Sequence, residues 1–166
     1  MNIRAVTPED YDAVAVMVRA AFLAEFGRST EAELTAQARA LGDVVLECVA
    51  EMDGAIVGHI LFSRAVIEHG GERHRAATLG PVCAAIGVQK RGVGSLLIRH
   101  GLEQLRGAGA THVFLLGHRD YYPRFGFSAD AARAFESPWA GPNFMLNRLS
   151  PAGPDAGRFA PSKAFG

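Results

Sequence analysis

The spacing of apolar residues changes several times along the chain, and each change marks an element. Asn2 to Val6 predicts a short first strand. Val14, Met17, Val18 and Phe22 then recur at helical spacing. They follow a helix start at Thr7-Pro8-Glu9-Asp10. Thr7 can cap, Pro8 suits the first helical position, and Asp10 stands where a capping-box acid belongs. Ala24 to Arg28 reads as a loop, and a second helix starts at Ser29-Thr30-Glu31 and runs to Leu41, with Gly42 as its C-cap. Val44 to Glu51 alternates as a strand. Asp53-Gly54 is a hairpin turn, and Ala55 to Ile67 returns with a bend near Ser63-Arg64. Gly70-Gly71 turns the chain into Arg75 to Ala84, which completes a meander of three antiparallel strands. Gly80-Pro81 interrupts the last of them, since glycine in a strand marks a bulge and proline removes a ladder donor. Two readings follow: a bent edge, or a sheet that opens to give an extended ligand access to free backbone groups.

An apolar run from Leu79 to Val88 leads into Gln89-Lys90-Arg91-Gly92-Val93-Gly94-Ser95. A helix from Gly92 or Val93 to Leu105 follows, with Leu96, Leu97, Leu102 and Leu105 expected on one side and Gly107 or Gly109 at its end. Thr111 to Leu116 is a buried strand. The helical crossover before it makes it parallel to its predecessor. Gly117 to Asp120 is a loop, Tyr121 to Phe125 one or two helical turns, and Asn143 to Leu149 a last strand. Ser150 to Gly166, rich in proline and glycine, is expected to lie over the sheet as a tail anchored by Phe159 and Phe165. No repeat or linker divides residues 1–166, so one domain is expected.

Composition narrows the function classes. The 166 residues are 49% hydrophobic and 20% charged, which fits a globular chain with a sizeable core. The 17 basic and 17 acidic residues cancel, which argues against a general nucleic-acid binder. Cys48 and Cys83 sit in apolar runs and read as reduced core thiols, so a cytoplasmic location is expected. Met1-Asn2-Ile3-Arg4 carries no signal peptide, and no apolar run approaches the roughly 18 residues of a membrane span. The six histidines show no metal-ligand spacing, so no metal is expected.

A strand, a basic glycine-rich turn and a helix together form an anion site. The first helical turn leaves N–H groups without partners, and the helix dipole adds positive charge there. Gly92 and Gly94 let a ligand approach the backbone, while Lys90 and Arg91 supply full charges. Three phosphate loops compete for this stretch. A P-loop fails because Val93 and Gly94 stand where Lys and Ser/Thr are needed. A dinucleotide fingerprint fails because Leu97 replaces its third glycine. The pattern Q/R-x-x-G-x-G/A is met at every fixed position by Gln89, Gly92 and Gly94.

That last pattern is the pyrophosphate-binding turn of the GNAT N-acetyltransferases, and the chain resembles this superfamily from about Ile3 to Leu149. A second motif lies downstream. Tyr122 with Gly126-Phe127 is similar to the family's Y-x-x-x-G-F pattern. Leu116-Gly117, Tyr121-Tyr122, Arg124 to Phe127, Val57 to Ile60 and Leu79 to Pro81 look like one bacterial branch of uncharacterised members. One departure is that Ile86 stands where many members carry proline. The resemblance implies an α/β chain of the α+β type. Its central sheet is mixed and mostly antiparallel, with about six or seven strands flanked by helices, and is splayed at the strand ending near Ala84. It also implies that Val82, Cys83 and Ala84 pair with pantetheine and that Gln89, Lys90, Arg91, Gly92, Val93, Gly94 and Ser95 hold the pyrophosphate of acetyl-CoA. Tyr121 and Phe125 join the cofactor-binding set, and Tyr122 is the general acid.

The function this implies is transfer of an acetyl group from acetyl-CoA to a primary amine of a small molecule or a protein. A non-catalytic acyl-CoA-binding or sensing module is the alternative. Direct transfer in a ternary complex needs a neutral amine, a polarised thioester, close positioning and a proton for the leaving thiolate. Free N–H groups around Val82 to Ala84 suit the carbonyl oxygen. Cys83 offers a ping-pong route as acyl acceptor, although an apolar-flanked cysteine is more often inert. The general base stays open among Glu47, Glu51, His59 and water, the oligomeric state between monomer and homodimer, and the amine acceptor is unidentified.

Overall fold

A two-residue turn sets the first hairpin. Asp53 and Gly54 take φ of 52° and 78°, the left-handed pair that a type I′ turn requires. They join β2 (Val44–Met52) to β3 (Ala55–His69), and Gly70-Gly71 reverse the chain into β4 (Glu72–Ala84). In the computed structural model, which describes residues 1–166, these strands are the middle of an eight-stranded sheet. β1 (Asn2–Ala5) pairs with β2. β5 (His112–Leu116) and β7 (Phe144–Arg148) extend the sheet beyond β4, in the order β1-β2-β3-β4-β5-β7. β4 and β5 are parallel, as the crossover predicted. So are the short β6 (Phe135–Glu136) and β8 (Gly157–Ala160), and every other pairing is antiparallel.

The expected strand count falls short of the eight observed because β6 and β8 are too short to show alternation. β8 comes from the tail. β3 is 15 residues long, and β2 covers its edge only as far as Ser63. The tail pairs with the remainder, Val66 to Glu68, through Ala160, Phe159 and Arg158. An edge that would otherwise be left open to other chains is thereby closed. Phe159 is 1% exposed and anchors this stretch among Phe114, Phe144 and Trp139. His112 holds the preceding turn, its Nε2 being 2.8 Å from the Pro154 carbonyl.

α1 (Tyr11–Phe26) and α2 (Glu31–Ala40) cover one face of the sheet, packing on Val49 and Leu61, while α3 (Val93–Gly107) covers the other. The expected loop from Ala24 is instead the last turn of α1. Nothing in Ala24-Glu25-Phe26 breaks a helix, Phe22 stacks on Phe26 at 5.8 Å, and only Gly27, at φ 70°, ends it. Leu96 also departs from expectation, at 47% exposed. The buried stripe of α3 is Val93, Leu97, Ile98, Gly101, Leu102 and Leu105, and Leu96 lies about 60° outside its edge. A short α4 (Ala129–Ala132), capped by Ser128, was not read from the sequence.

α3 presses closely on β3 because a glycine stands on each side of the contact, Gly58 on β3 and Gly101 on α3. A Cβ on Gly58 would lie 2.5 Å from Val93 Cγ1, and one on Gly101 would overlap the ring of Phe62, which is fully buried. Gly101→Ala therefore sets about 1 kcal/mol of helix propensity against about 1–3 kcal/mol of overpacking. Net destabilisation is expected, seen as a lower urea midpoint at an unchanged slope. A raised midpoint would contradict the close contact.

The meander opens where Gly80-Pro81 interrupts it. Ile60 pairs with Val82 and Phe62 with Leu79, so β4 carries one extra residue there, a bulge with Gly80 at φ 140°. Before the bulge, β4 pairs with β5 at Ala77↔Val113 and Thr78↔Phe114. Beyond it, the two strands diverge.

Candidate active site

One wall of the opening is the free edge of β4. The Ala85 N–H donates to the Val57 carbonyl, so by the alternation of an antiparallel ladder Cys83 also turns its backbone to β3. Val82 and Ala84 then present their N–H and C=O groups to the cleft. Gln89 Nε2 reaches the Ala84 carbonyl at 3.4 Å from that side.

The strand runs directly into the anion loop. From Gln89 to Gly92 no N–H meets a protein acceptor, and those of Val93, Gly94 and Ser95 are the partnerless donors of the first turn of α3. Val88 and Leu96, on either side, are bonded to the Ala85 and Gly92 carbonyls. Lys90 and Gly92 take φ of 63° and 84°, which turns successive amides toward one concavity. No acid lies in the first turn of α3, while the exposed Lys90 and Arg91 flank it. This loop has the form of an oxyanion cradle for a phosphate or pyrophosphate.

The opposite wall is the turn Tyr122–Phe125, a single 3₁₀ turn. Asn147 on β7 donates to the Phe125 carbonyl at 2.9 Å, and Gly126, at φ 99°, closes the turn against Asn147. Arg124 Nε donates to the Tyr121 carbonyl at 2.9 Å, with its guanidinium 4.7 Å over the Tyr121 ring. The two tyrosines then part. The Tyr121 hydroxyl is 3.0 Å from Ser95 Oγ, tied to the first turn of α3. The Tyr122 hydroxyl has no protein partner and its ring packs on Gly117, where a Cβ would lie 2.5 Å from Cε2. Burial pushes the Tyr122 hydroxyl up to about 12, with Tyr121 and Glu25 adding to the rise.

Together these walls line a cleft of about 520 Å³. Val82, Cys83 and Ala84 stand on one side, Tyr121, Tyr122 and Arg124 on the other, and Gly94 where they meet. Phe125, expected among the cofactor-binding residues, lies off the cleft wall. It is 8% exposed, in the main core, and backs Tyr121 at 5.2 Å. Burial pushes the Cys83 thiol up to about 12, with Glu25 and Glu31 adding to it, so it stays protonated at neutral pH.

The sequence candidates for a base lie elsewhere. His59 is fully buried, its Nε2 2.7 Å from Glu47 Oε1. Burial would raise Glu47, but the hydrogen bonds from His59 and Arg39 hold it low. Glu51 is bound to Arg4 at 2.8 Å beside β1. The acids that do reach the cleft are Glu25, from α1, and Asp120, with His118 beside them. Sequence reasoning missed Glu25 by ending the first helix early, and it left His118 and Asp120 as plain loop. No motif marks any of them.

Comparison with known proteins places the fold in a family. Residues 2–129 match the model of the acetyltransferase (GNAT) domain. The chain is 40% identical over 119 residues to the uncharacterised N-acetyltransferase YjhQ of Escherichia coli K12. That match takes in 69% of this chain and 65% of YjhQ, just under two thirds of the relative's length. Among solved structures, a GNAT family acetyltransferase from Brucella melitensis in complex with acetyl-CoA superposes with a TM-score of 0.83 at 37% identity, covering 99% of this chain and 97% of that one. The Escherichia coli GNAT family N-acetyltransferase YhbS, in complex with CoA, gives 0.87 at 26% identity, covering 99% and 91%. With the splayed β4 edge, the glycine-rich cradle and a domain match over most of its length, the chain belongs to the GNAT acetyltransferase family.

Proposed function

We propose that the protein transfers an acetyl group from acetyl-CoA directly to a primary amine, with both substrates bound at once. The observation that carries this reading is the run of unpartnered N–H groups from Gln89 to Ser95, set where the free edge of β4 ends. The residues fit the cosubstrate. The cradle of Gln89, Lys90, Arg91, Gly92, Val93, Gly94 and Ser95 suits the pyrophosphate. The backbone groups of Val82 and Ala84 suit the amides of pantetheine, which add to the sheet edge as a strand would. The related proteins from Brucella melitensis and Escherichia coli, crystallised with acetyl-CoA and CoA, support the same assignment.

In this reading the Val82–Ala84 edge polarises the thioester carbonyl, and its fixed donors need no reorganisation as charge develops. Tyr122 donates the proton that the departing thiolate takes up. Its hydroxyl holds that proton across the neutral range, as a tyrosine does, and burial pushes its titration further up, to about 12. Tyr121, fastened to Ser95, positions the cradle against the turn. A thiol held protonated at Cys83 is a poor nucleophile, which favours direct attack over a covalent acetyl-enzyme.

A thermal-shift comparison of CoA, acetyl-CoA, ATP and NADH at matched ionic strength tests the cofactor class. A native-state ligand at ~100 times its Kd adds about 2.7 kcal/mol, or roughly 5–10 °C for a chain of this length. Both CoA forms are expected to give such a shift, and ATP and NADH little. A folded sample that neither CoA form stabilises would remove the reading.

A further inference from the structure

Glu25 is the carboxylate that α1 sends into the cleft, facing the β4 edge and Tyr122. Three features together mark it out. It has no hydrogen-bond or salt-bridge partner, whereas Glu33 on α2 is held by Arg19 at 2.8 Å and Glu47 and Glu51 are committed to Arg39 and Arg4. It stands in the last turn of α1, where the helix dipole disfavours a negative charge and no basic residue offsets it. Departures from local electrostatic preference of this kind concentrate at functional sites. Its charge also reaches both sides of the reacting region, being felt at Cys83 and at Tyr122. Asp120 shares the cleft but is not among the charges acting on either group, and Arg124 reaches its backbone carbonyl at 3.4 Å.

From this placement we infer that Glu25 receives the acceptor as an alkylammonium ion and takes its first proton. The inference rests on the acetyl-transfer reading above and adds the acceptor side to it. An alkylamine titrates near lysine, so at pH 7.4 only about one molecule in a thousand is neutral. An acceptor-side carboxylate both attracts the abundant cation and relieves it of a proton. The ammonium gives one proton to Glu25, which passes it to water. The freed lone pair forms the C–N bond as the C–S bond breaks. The departing sulfur takes the Tyr122 hydroxyl proton, and the second proton lost from nitrogen returns to the Tyr122 oxygen through water. The products are the amide, the free thiol of CoA and one proton released to solvent.

The test compares two small acceptors at one neutral pH, by thiol release from acetyl-CoA. Ethylamine is almost wholly protonated, whereas hydroxylamine is largely neutral and needs no base before it attacks. Glu25→Gln is expected to lower kcat/KM for ethylamine by about 10²-fold or more while changing that for hydroxylamine by less than about threefold. The stabilisation by CoA should be kept, showing that the variant folds and binds. If it is lost, Glu25→Asp, with the charge one methylene further back, is judged on the same ratio. Equal losses with the two acceptors, or no loss with ethylamine, would overturn the assignment. A parent protein stabilised by CoA that turns over neither acceptor would overturn it too, leaving the cofactor reading intact. Absence of any CoA stabilisation would instead remove the transfer reading beneath it.

Discussion

Tyr122→Phe is expected to lower kcat by about 10²- to 10⁴-fold, roughly 2.7–5.4 kcal/mol of barrier, with the affinity for acetyl-CoA nearly unchanged. The substitution removes one hydroxyl and keeps the ring, whose contact with Gly117 and Phe127 holds the turn in place. Stability should therefore hold. The Tyr122 hydroxyl has no protein partner to lose, and its proton is retained to about 12, so it remains a donor throughout the neutral range. Tyr121→Phe should behave differently. It breaks the 3.0 Å link to Ser95 and is expected to act more on cosubstrate affinity than on turnover. Steady-state kinetics with calorimetric acetyl-CoA titrations separate the two. A Tyr122→Phe enzyme as fast as its parent would take the acid role away from this residue.

Gly92→Val is expected to weaken acetyl-CoA binding by about 100-fold or more. Gly92 stands at φ 84° before α3, and a Cβ there would meet no atom within 4 Å, so space is not the obstacle. The obstacle is conformational. A β-branched residue avoids the left-handed region, and leaving it re-aims the N–H groups on either side. Losing two charge-assisted hydrogen bonds of about 1.5–3 kcal/mol each accounts for a change of that size. Gly92→Asn, which tolerates the left-handed region, should lose far less. Calorimetry on the two variants checks this. Equal affinities would mean that the loop does not depend on its backbone shape, and the cradle would be misassigned.

Much of the proposed cosubstrate half of this site was legible in the sequence, because it is made of consecutive residues. Gln89 to Ser95 is a local structure, and the left-handed Gly92 is a signal that the sequence carries openly. The same holds for the Asp53-Gly54 turn, the meander it starts, and the parallel step from β4 to β5. The interruption at Gly80-Pro81 was also readable, and the bulge lies there. Tyr122 was singled out by its distance from Gly126-Phe127, and the structure adds the reason it differs from its neighbour: Tyr121 is tied to Ser95.

The proposed acceptor half depended on tertiary structure. Glu47 and His59 are chemically apt but face each other and Arg39 beneath α1 and α2, a buried cluster that forms only when α2 packs on the β2–β3 hairpin. Glu25 looked like loop, and only the extra turn of α1 and its packing on the sheet bring it to the cleft. Asn147, which braces the tyrosine turn, and the tail strand β8, which closes the edge of β3, carry no local signal. Turns, caps and the anion loop are set by neighbours in the chain, so the sequence alone determined them. Which charges are buried as pairs and which are left facing the cleft depends on how strands and helices meet, and only the folded chain decided that.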